Sequence, residues 1–478
     1  MAIDQTLIER ITAEVLAKMQ GPANSPVPQD GIFATVDEAV AAARTAQKQL
    51  VALSVGQREK LIAAMRETAR ENAKLLAEMA VEESGMGNVQ DKLIKNKLTA
   101  DKTPGTEDLV TRAWSGDHGL TLVEMGPYGV IGSITPTTNP AATVICNGIG
   151  MIAAGNAVFF SPHPKAKNTS LKTIQLLNAA IVKAGGPANL LTSLAKPTIE
   201  AANEMMKHPY INMLVATGGP GVVKTVLSSG KKAIGAGAGN PPAVVDETAD
   251  IEKAARDIVN GSSFDNNLPC IAEKEVIAVG CIADQLIAYM QKNGAYLISG
   301  RQIDDLLEII MTAELEKIAE GCTDKPRKIY GINKDYVGKD ASFILGKLGI
   351  TAPAGTKLII CETDADHPFV VEELMMPVLP VVQVKDIDEA IKLAVKVEHG
   401  NRHTAIMHSK NVDNLTRLAR AIETTIFVKN APSYAGIGVG GEGYATFTIA
   451  GPTGEGLTSP RSFTRERRCT LVDAFSIV

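Results

Sequence analysis

One cysteine of this 478-residue sequence lies where a nucleophile is expected. Cys270 ends the segment FDNNLPC, which begins at Phe264 and joins a predicted helix to a predicted strand. Pro269 restricts the backbone just before the thiol. A loop thiol among polar residues is a better nucleophile than one in an apolar element. Cys270 is therefore the predicted nucleophile, whereas Cys146 and Cys361 lie in apolar runs typical of small core residues.

A rigidly held asparagine is the second candidate. Asn139 lies in the segment TPTTNP, which begins at Thr135 directly after the predicted strand Val130–Ile134. Its amide is able to donate to an oxyanion that develops during a reaction. Asparagine is equally common as a turn former or a helix cap, so the residues alone leave both interpretations open.

Two glycine-rich segments are candidates for a nucleotide site. The segment TGGPG, from Thr217, joins an apolar strand to a helix predicted from about Val222. Backbone N–H groups at such a helix start attract a pyrophosphate, although an ordinary turn has the same pattern. The segment GAGAGN, from Gly235 to Asn240, carries no side chain beyond a methyl group until its last residue. Either a close cofactor or tight packing between elements explains that pattern.

The spacing GxGxxG occurs twice, from Gly436 and from Gly438, but it does not predict a dinucleotide fold here. That fingerprint needs a helix directly after the glycines. The following residues, Tyr444 to Thr448, are predicted to form a strand instead. We therefore interpret the glycines as a flexible loop.

The elements around these residues alternate between strand and helix. Residues 36–83 are strongly helical in pattern, and residues 251 to about 430 form a second αβ region. Such alternation predicts a parallel, doubly wound sheet. The tail from Tyr444 is predicted to be an extended arm or hairpin. The predicted strands are Val130–Ile134, Ala157–Ser161, Leu190–Leu194, Ile211–Ala216, Lys232–Ala236, Pro242–Val245, Glu275–Val279, Lys357–Cys361 and Ile426–Val428, with a strand-like stretch from Thr121 to Ile134.

The N-terminus has its own pattern. Apolar residues recur at helical spacing on one stripe of residues 3–19, and a linker with three prolines follows over residues 21–30. The segment is thus a short amphipathic helix on a flexible tether. It either docks on the protein's own core or a dimer partner, or lays its apolar face on another protein as a targeting helix.

The composition of the chain excludes several classes of function. The length favours two or three domains, and a net charge of −5 with 4% aromatic residues gives no sign of nucleic-acid binding. Six cysteines without a CxxC pair, and seven histidines without HExxH, predict neither disulfides nor a metal site. No apolar stretch reaches 18 residues and no secretory signal is present, so we expect a soluble cytosolic protein.

Taken together, these segments resemble the aldehyde dehydrogenase superfamily over nearly the whole chain after the linker. The resemblance is strongest to the CoA-acylating propionaldehyde and acetaldehyde dehydrogenases of bacterial microcompartments. It is carried by NNLPC from Asn266, EELMMP from Glu372, FVKN from Phe427 and GEGYATF from Gly441. The helix and linker resemble the encapsulation peptide of that branch, which favours the targeting interpretation of residues 1–20 and a location inside a microcompartment.

The resemblance implies a fold and a domain order. An α/β aldehyde dehydrogenase-like fold is expected, with a Rossmann-type NAD-binding domain over 31–240 and a catalytic α/β domain over 241–440. A small β arm for oligomerisation combines strands near 110–128 with the tail 441–478. A homodimer or homotetramer is implied, in which the strand pair and the tail pair with another subunit.

The resemblance also implies residue roles. Cys270 matches the nucleophile and Asn139 the oxyanion-binding amide, assisted by the Cys270 N–H. Glu373 matches the glutamate that holds the nicotinamide ribose. The full set of implied cofactor contacts, for NAD with CoA as co-substrate, is Thr135, Pro136, Ser161, Pro162, His163, Thr217, Gly218, Gly219, Gly237 and Glu373.

One departure from the superfamily pattern indicates the reaction. Hydrolytic members carry a glutamate base where this chain has Gly235 to Asn240, and Ala236 falls near that position. Without a base, water deacylates an enzyme poorly, whereas a free thiol is nucleophilic enough. The sequence therefore predicts transfer to CoA. The alternatives are a hydrolytic dehydrogenase, a cysteine acyltransferase without redox chemistry, and a non-catalytic shell-associated protein. The sequence leaves open the chain length of the aldehyde and the choice between NAD and NADP.

Overall fold

The computed structural model describes residues 30–315 and 328–478. The predicted N-terminal helix, nearly all of the linker and Cys322 lie outside the described residues. The described strands, in chain order, are β1 Ile32–Phe33, β2 Arg112–Gly116, β3 Gly119–Pro127, β4 Val130–Thr135, β5 Ala157–Pro162, β6 Leu191–Leu194, β7 Ile211–Thr217, β8 Lys232–Ala236, β9 Pro242–Val245, β10 Glu275–Val279, β11 Ala295–Ile298, β12 Met311–Leu315, β13 Lys328–Ile332, β14 Leu358–Glu362, β15 Val378–Val384, β16 Thr404–His408, β17 Ile426–Lys429, β18 Ile449–Ala450, β19 Gly456–Leu457 and β20 Thr464–Val472.

Helices connect most of the strands, and several 3-10 turns lie beside them. None of the described helices is both long and apolar enough to cross a bilayer. The helices are α1 Val36–Val51, α2 Val55–Glu71, α3 Ala73–Ser84, α4 Val89–Lys102, α5 Pro140–Ala153, α6 Lys167–Lys183, α7 Ile199–Lys207, α8 Pro220–Leu227, α9 Ile251–Ser263, α10 Gly280–Lys292, α11 Arg301–Ile310, α12 Ala341–Lys347, α13 Pro368–Val371, α14 Ile387–Val397 and α15 Val412–Ile422.

The first helices start where their sequences supply caps. Thr35 accepts a hydrogen bond from the N–H of Glu38, whose carboxylate accepts from the N–H of Thr35. Ser54 and Gln57 form the same reciprocal pair at the start of α2. Each pair satisfies two backbone donors that a helix start leaves free, so both helices begin at defined residues.

The first sheet is parallel and doubly wound, as predicted. Its order is β1-β6-β5-β4-β7-β8, so the chain winds outward from β4 in one direction and returns to β4 with β7 on its other side. Strand β5 is buried at all six positions, which explains why its sequence is an unbroken apolar run. In such sheets ligands bind beyond the carboxyl ends of the strands at the point where the winding reverses. In this sheet the winding reverses between β4 and β7.

The second sheet has seven parallel strands in the order β11-β14-β15-β10-β9-β16-β17. The chain passes from the first sheet to the second between β8 and β9, through the segment Gly237 to Pro241. Strands β9 and β10 are central and fully buried. The loop that carries Cys270 leads directly into β10, so the nucleophile candidate is anchored to the middle of the sheet.

The C-terminal tail contains both forms that its sequence predicts. Strands β18 and β19 pair antiparallel as a short hairpin, and β20 is extended. Strand β20 pairs antiparallel with β3, from Thr464 opposite Pro127 to Val472 opposite Gly119. Strand β2 occupies the other side of β3. The strand pair and the tail thus form one three-stranded sheet within the chain, and a partner subunit would have to contact its outer strands.

Two predictions of local structure are wrong in detail. The strand-like stretch from Thr121 to Ile134 is divided between β3 and β4, which belong to different sheets. Residues Tyr444 to Thr448 form no strand, although the residues next to them pair as β18 and β19. No helix follows the glycines of 436–443 directly in the described chain, as a dinucleotide fingerprint would require.

Candidate active site

The loop before Cys270 has an unusual backbone. Asp265, Asn266 and Asn267 have consecutive positive φ angles of 47°, 55° and 63°. Residues with side chains rarely adopt this left-handed conformation, and asparagine and aspartate tolerate it best. Three in a row persist only where the surroundings over-determine them. The sequence DNN is therefore what allows the chain to turn so sharply ahead of the thiol.

Buried polar contacts hold this loop. The Asp265 carboxylate pairs with Lys95 and with Lys92, whose Nζ lies 3.0 Å away. The Asn267 side-chain oxygen accepts from Lys274 Nζ at 2.6 Å, and its backbone carbonyl accepts from the same ammonium at 2.8 Å. Asn266 donates to the carbonyl of Gly338 at 2.9 Å. Charged donors make strong hydrogen bonds in a buried setting, so the left-handed residues are firmly fixed.

The thiol itself is harder to ionise than the sequence predicts. Burial raises the pKa of the Cys270 thiol to about 12, the Glu373 carboxylate adds to the rise, and Lys274 and Lys95 oppose it. Cys146 and Cys361 are fully buried, in agreement with their predicted core role. At neutral pH the Cys270 proton must therefore leave to a base when the nucleophile is used.

Glu373 lies close to Cys270. It follows the short helix α13, and its carboxylate accepts from the Gly239 N–H. Burial raises the pKa of Glu373 to about 7, against the effects of Lys274 and the Gly239 donor. The sequence assigns this residue to a ribose by resemblance and gives no hint of its proximity to the thiol. A carboxyl group that titrates near neutral pH is able to accept protons at this site.

Asn139 precedes α5 at the helix-capping position but makes no side-chain capping bond. Its Oδ1 accepts from Lys95 Nζ at 2.5 Å, and its Nδ2 donates to the hydroxyl of Thr138 at 3.1 Å. The side chain is 7% exposed. The interpretation as a helix cap is therefore wrong for the side chain, and the amide is held by a buried cation instead.

Sequence reasoning missed Lys92 and Lys95. Both lie on α4 and are 3% and 1% exposed, although lysines are rarely buried without a partner. A signal was present: Lys92, Lys95, Asn96 and Thr99 follow the spacing of one helix face, and all four are buried. A polar stripe on the inner face of a helix indicates a buried polar site.

The segment from Gly235 to Asn240 combines the two interpretations that its sequence allowed. A Cβ at Gly239 would lie 2.6 Å from the Cys270 carbonyl oxygen and 2.9 Å from Cγ of His403, so tight packing explains that glycine. A Cβ at Gly237 would meet no atom within 4 Å, so this backbone is open to a ligand. The buried Asn240 amide ties the segment to the carbonyls of Val370 and Val397, each at 3.0 Å.

His403 is a second residue that the sequence did not single out. It is 1% exposed and packs against Gly239 beside the nucleophile backbone. Its Nδ1 shares a hydrogen bond with the Thr404 hydroxyl at 2.9 Å, whereas its Nε2 has no partner among the described residues. Burial lowers the pKa of His403 to about 4, and Lys274 adds to the effect. The imidazole is therefore neutral at pH 7.

The glycine-rich turn after β7 has the geometry of a phosphate site. The Gly218 N–H donates to the Ala236 carbonyl at 3.0 Å, and Gly219 precedes α8 without a side-chain cap. A Cβ at Gly219 or at Gly221 would meet no atom within 4 Å, so there is open space beside the start of α8. Pro220 has no N–H, so Gly219, Gly221 and Val222 supply the backbone donors there. The Thr217 hydroxyl is engaged with the Thr448 hydroxyl at 2.8 Å, so this side chain already has a partner.

The predicted adenosine-side residues end the two strands beside this turn. Strands β4 and β5 pair so that Thr135 lies opposite Pro162 and Ile134 opposite Ser161. The His163 N–H donates to the Thr135 carbonyl at 3.2 Å. Since β4 also pairs with β7, these residues and Thr217 share one edge of the sheet. The edge coincides with the winding reversal, where a dinucleotide is expected to bind.

The charge at this edge is positive. Burial lowers the pKa of His163, and the nearby Lys165 and Lys334 lower it further. Lys334 follows β13 and is 171 residues from His163 in sequence. The sequence alone therefore does not predict that the two residues lie close together. Three His, Cys, Asp or Glu side chains suitable for a metal ion do not come together anywhere in residues 30–315 and 328–478.

This chain belongs to the aldehyde dehydrogenase family, whose model matches residues 27–444. The acetylating acetaldehyde dehydrogenase of Escherichia coli (strain K12) is 50% identical and is covered completely, as is this chain. This match confirms the resemblance to the CoA-acylating branch of the family.

Solved structures of the same branch have the same fold. Rhodopseudomonas palustris propionaldehyde dehydrogenase, with bound CoA and an acylated cysteine, is 56% identical, with a TM-score of 0.89 over 94% of this chain and 100% of that one. A propionaldehyde dehydrogenase from the Clostridium phytofermentans fucose utilisation bacterial microcompartment is 54% identical, with the same TM-score and coverage. The predicted fold class is thereby confirmed.

Proposed function

We propose that this chain oxidises a short-chain aldehyde, with propionaldehyde favoured, to an acyl-CoA through a thioester on Cys270, with NAD⁺ and CoA as co-substrates. One observation carries the proposal: a protein of the same fold, 56% identical to this chain, holds CoA and an acylated cysteine. The cysteine at the end of the left-handed loop is the residue of this chain that fits that chemistry.

The first half-reaction forms the acyl enzyme. The Cys270 sulfur attacks the carbonyl carbon, and the electron pair of the C=O bond moves to oxygen. Asn139 Nδ2 and the Cys270 N–H donate to this oxyanion. The thiol proton leaves to a base, for which His403 is the available group: its neutral ring packs against Gly239 near the Cys270 backbone, and its Nε2 has no partner among the described residues. Loss of a hydride from the same carbon then leaves a thioester on Cys270.

NAD⁺ supplies the hydride acceptor for this step. The residues present fit a dinucleotide. Backbone donors at Gly219 and the start of α8 suit its pyrophosphate, and the open backbone of Gly237 leaves room for the part of the dinucleotide next to the pyrophosphate. Thr135, Pro136, Ser161, Pro162 and His163 follow two adjacent strand ends and suit the adenosine half. We favour NAD over NADP from the family resemblance, although the charges of Lys165 and Lys334 would not oppose a further phosphate.

The second half-reaction transfers the acyl group. The CoA thiol attacks the thioester carbon, the Cys270 sulfur leaves, and the CoA proton passes to the same imidazole. The segment 235–240 offers no carboxylate that would activate water, but Glu373 lies beside Gly239. Because its carboxyl would be engaged by the ribose in the proposed complex, we infer that it is not free to act on water.

The proposal is tested by NADH absorbance on mixing the protein with propionaldehyde and NAD⁺, with and without CoA. We expect a single-turnover burst without CoA and sustained turnover only with CoA. Steady turnover without CoA would support the hydrolytic alternative, and CoA acylation without any NADH would support a non-redox acyltransferase. No reaction under either condition would support a non-catalytic shell-associated role.

We also propose that different parts of the chain have different roles. Residues 31–240 bind the cofactor, 241–440 carry the nucleophile, and the sheet β2-β3-β20 contacts a partner subunit in a homodimer or homotetramer. Exposed apolar side chains on or near that sheet support this, with Trp114 51%, Phe475 70% and Ile477 93% exposed. Sedimentation of a chain that ends at residue 463 should give a smaller species than the full chain.

Residues 1–20 are proposed to bind a shell protein and to direct the enzyme into a bacterial microcompartment of the cytoplasm. The support is the amphipathic pattern of the sequence and the microcompartment origin of one structural relative. Deletion of residues 1–20 should leave turnover in solution intact and abolish co-purification with shells. Lost turnover with retained packaging would reverse this assignment.

A further inference from the structure

The polar cluster around Lys95 connects two parts of the candidate site. The Lys95 ammonium contacts the Asp265 carboxylate in the Cys270 loop and the Asn139 side-chain oxygen at the start of α5. These contacts span 170 and 44 residues of sequence. No other described residue bonds to both the left-handed loop and the Asn139 side chain. Among the described residues, Lys95 is thus the one side chain that links the loop before the nucleophile directly to the candidate oxyanion donor.

The chemistry of an ammonium decides how the amide points. An asparagine amide can turn by 180°, which exchanges its oxygen and nitrogen. An ammonium only donates hydrogen bonds, so it accepts only the oxygen of the amide as a neighbour. Lys95 therefore fixes Oδ1 on its own side, and Nδ2 must face away from it. One Nδ2 proton binds Thr138, and the second stays available for the reacting oxygen.

The same contact adds charge to the site. Lys92 and Lys95 bring two positive charges to the single Asp265 carboxylate, all three nearly fully buried. A charge acts much more strongly in a buried position than in water, and of the two ammonium groups only that of Lys95 contacts the Asn139 amide. The amide between Lys95 and the reacting oxygen is polarised in the direction that strengthens Nδ2 as a donor.

We propose that Lys95 is a positioning residue, whose ammonium orients the Asn139 amide toward the oxyanion and ties it to the Cys270 loop. The inference rests on the function proposed above, because it requires Asn139 to bind the oxyanion. It assigns the buried face of α4 to catalysis rather than to stability alone.

Lys92 provides a matched control. Its ammonium also pairs with Asp265 and lies at a similar depth, but it donates to the backbone carbonyl of Thr138 at 3.1 Å and not to the Asn139 side chain. The variants Lys92→Met and Lys95→Met each remove one ion pair with Asp265. Their melting temperatures should fall by similar amounts, since the remaining lysine still pairs with the carboxylate.

The test is a double-mutant cycle on acyl-enzyme formation, measured as the rate of the NADH burst without CoA. Lys95→Met should slow the burst roughly 10²-fold, the cost of a misplaced catalytic group. Lys92→Met should slow it far less. In an Asn139→Ala background, Lys95→Met should cost almost nothing further, because residues that act through one another are not additive. If Lys95→Met does not fold, Lys95→Gln replaces it.

The outcomes separate the two proposals. A Lys95→Met loss of equal size with and without Asn139 would overturn the positioning role and leave the oxyanion role of Asn139 intact. Equal losses for the Lys92 and Lys95 variants would overturn it as well. An unchanged burst in Asn139→Ala alone would overturn the oxyanion role of Asn139 and, with it, the positioning role of Lys95. A burst that persists in Cys270→Ala would overturn the proposed function itself.

Discussion

The turn after β7 and the loop before Cys270 are both sharp, and they achieve this in opposite ways. The turn uses glycine and proline, and its helix start is open to a ligand. The loop uses three left-handed residues with side chains, held by Lys92 and Lys95 from a distant helix and by Lys274 just after the loop. The turn is formed by neighbouring residues and offers its backbone to a ligand. The loop depends on tertiary contacts and orients a nucleophile. The comparison indicates that the reactive part of the site depends most on the rest of the fold.

The largest effect should come from the nucleophile itself. Cys270→Ala should abolish NADH formation from aldehyde, because Cys270 is the described thiol that follows the left-handed loop and is affected by the charges of Glu373, Lys274 and Lys95. Cys361→Ala removes a buried thiol of the hydrophobic core and serves as the control for losing a cysteine. Residual aldehyde-dependent NADH formation by Cys270→Ala would break the assignment of the loop as the reactive part.

Asp265→Asn tests whether tertiary contacts hold the loop. The change would leave two buried ammonium groups without their carboxylate, and removal of one partner of a buried ion pair costs about 3–5 kcal/mol. Urea unfolding should show a loss of this size. The control, Asp366→Asn, removes an exposed ion pair with Lys396 and should not shift the urea midpoint measurably. Similar midpoints for both variants would contradict the comparison.

Gly219→Ala tests the turn. Its φ of −64° suits alanine and the methyl would meet no protein atom, so the free energy of unfolding should change by less than about 0.5 kcal/mol. The methyl would enter the space proposed for the pyrophosphate, and KM for NAD⁺ should rise roughly tenfold. Gly56→Ala, also free of contacts and distant from the turn, should leave KM unchanged. An unchanged KM in Gly219→Ala would place the cofactor elsewhere.

The smallest effect concerns pH. Burial raises the pKa of Glu373 to about 7, so the carboxyl group is protonated below that value and ionised above it. The ionised form accepts hydrogen bonds from ribose hydroxyls better, so KM for NAD⁺ should fall as pH rises through 7. Glu373→Gln should raise KM a few-fold and remove this pH dependence. A loss confined to kcat would instead identify Glu373 as the base that takes the thiol proton.

The same contrast explains what the sequence reveals. Strand β7 is predicted to within one residue because its apolar run is buried on both faces, and the glycine turn follows from local chemistry. Cys270 and Asn139 stand out by their loop settings, and the family resemblance gives their roles. Lys92, Lys95 and His403 do not stand out, because their partners are brought together only by folding. The tail is predicted as an extended arm or hairpin, but its pairing with β3 does not follow from local pattern, because that pairing joins strands about 345 residues apart.

The most direct test of the account is the intact mass of the protein after reaction with propionaldehyde and NAD⁺ without CoA. We predict a gain of one propionyl group per chain, located on the peptide that contains Cys270 and lost on addition of CoA as propionyl-CoA appears. An unmodified protein that still forms NADH at a steady rate, or a propionyl group on another cysteine, would contradict the central claim.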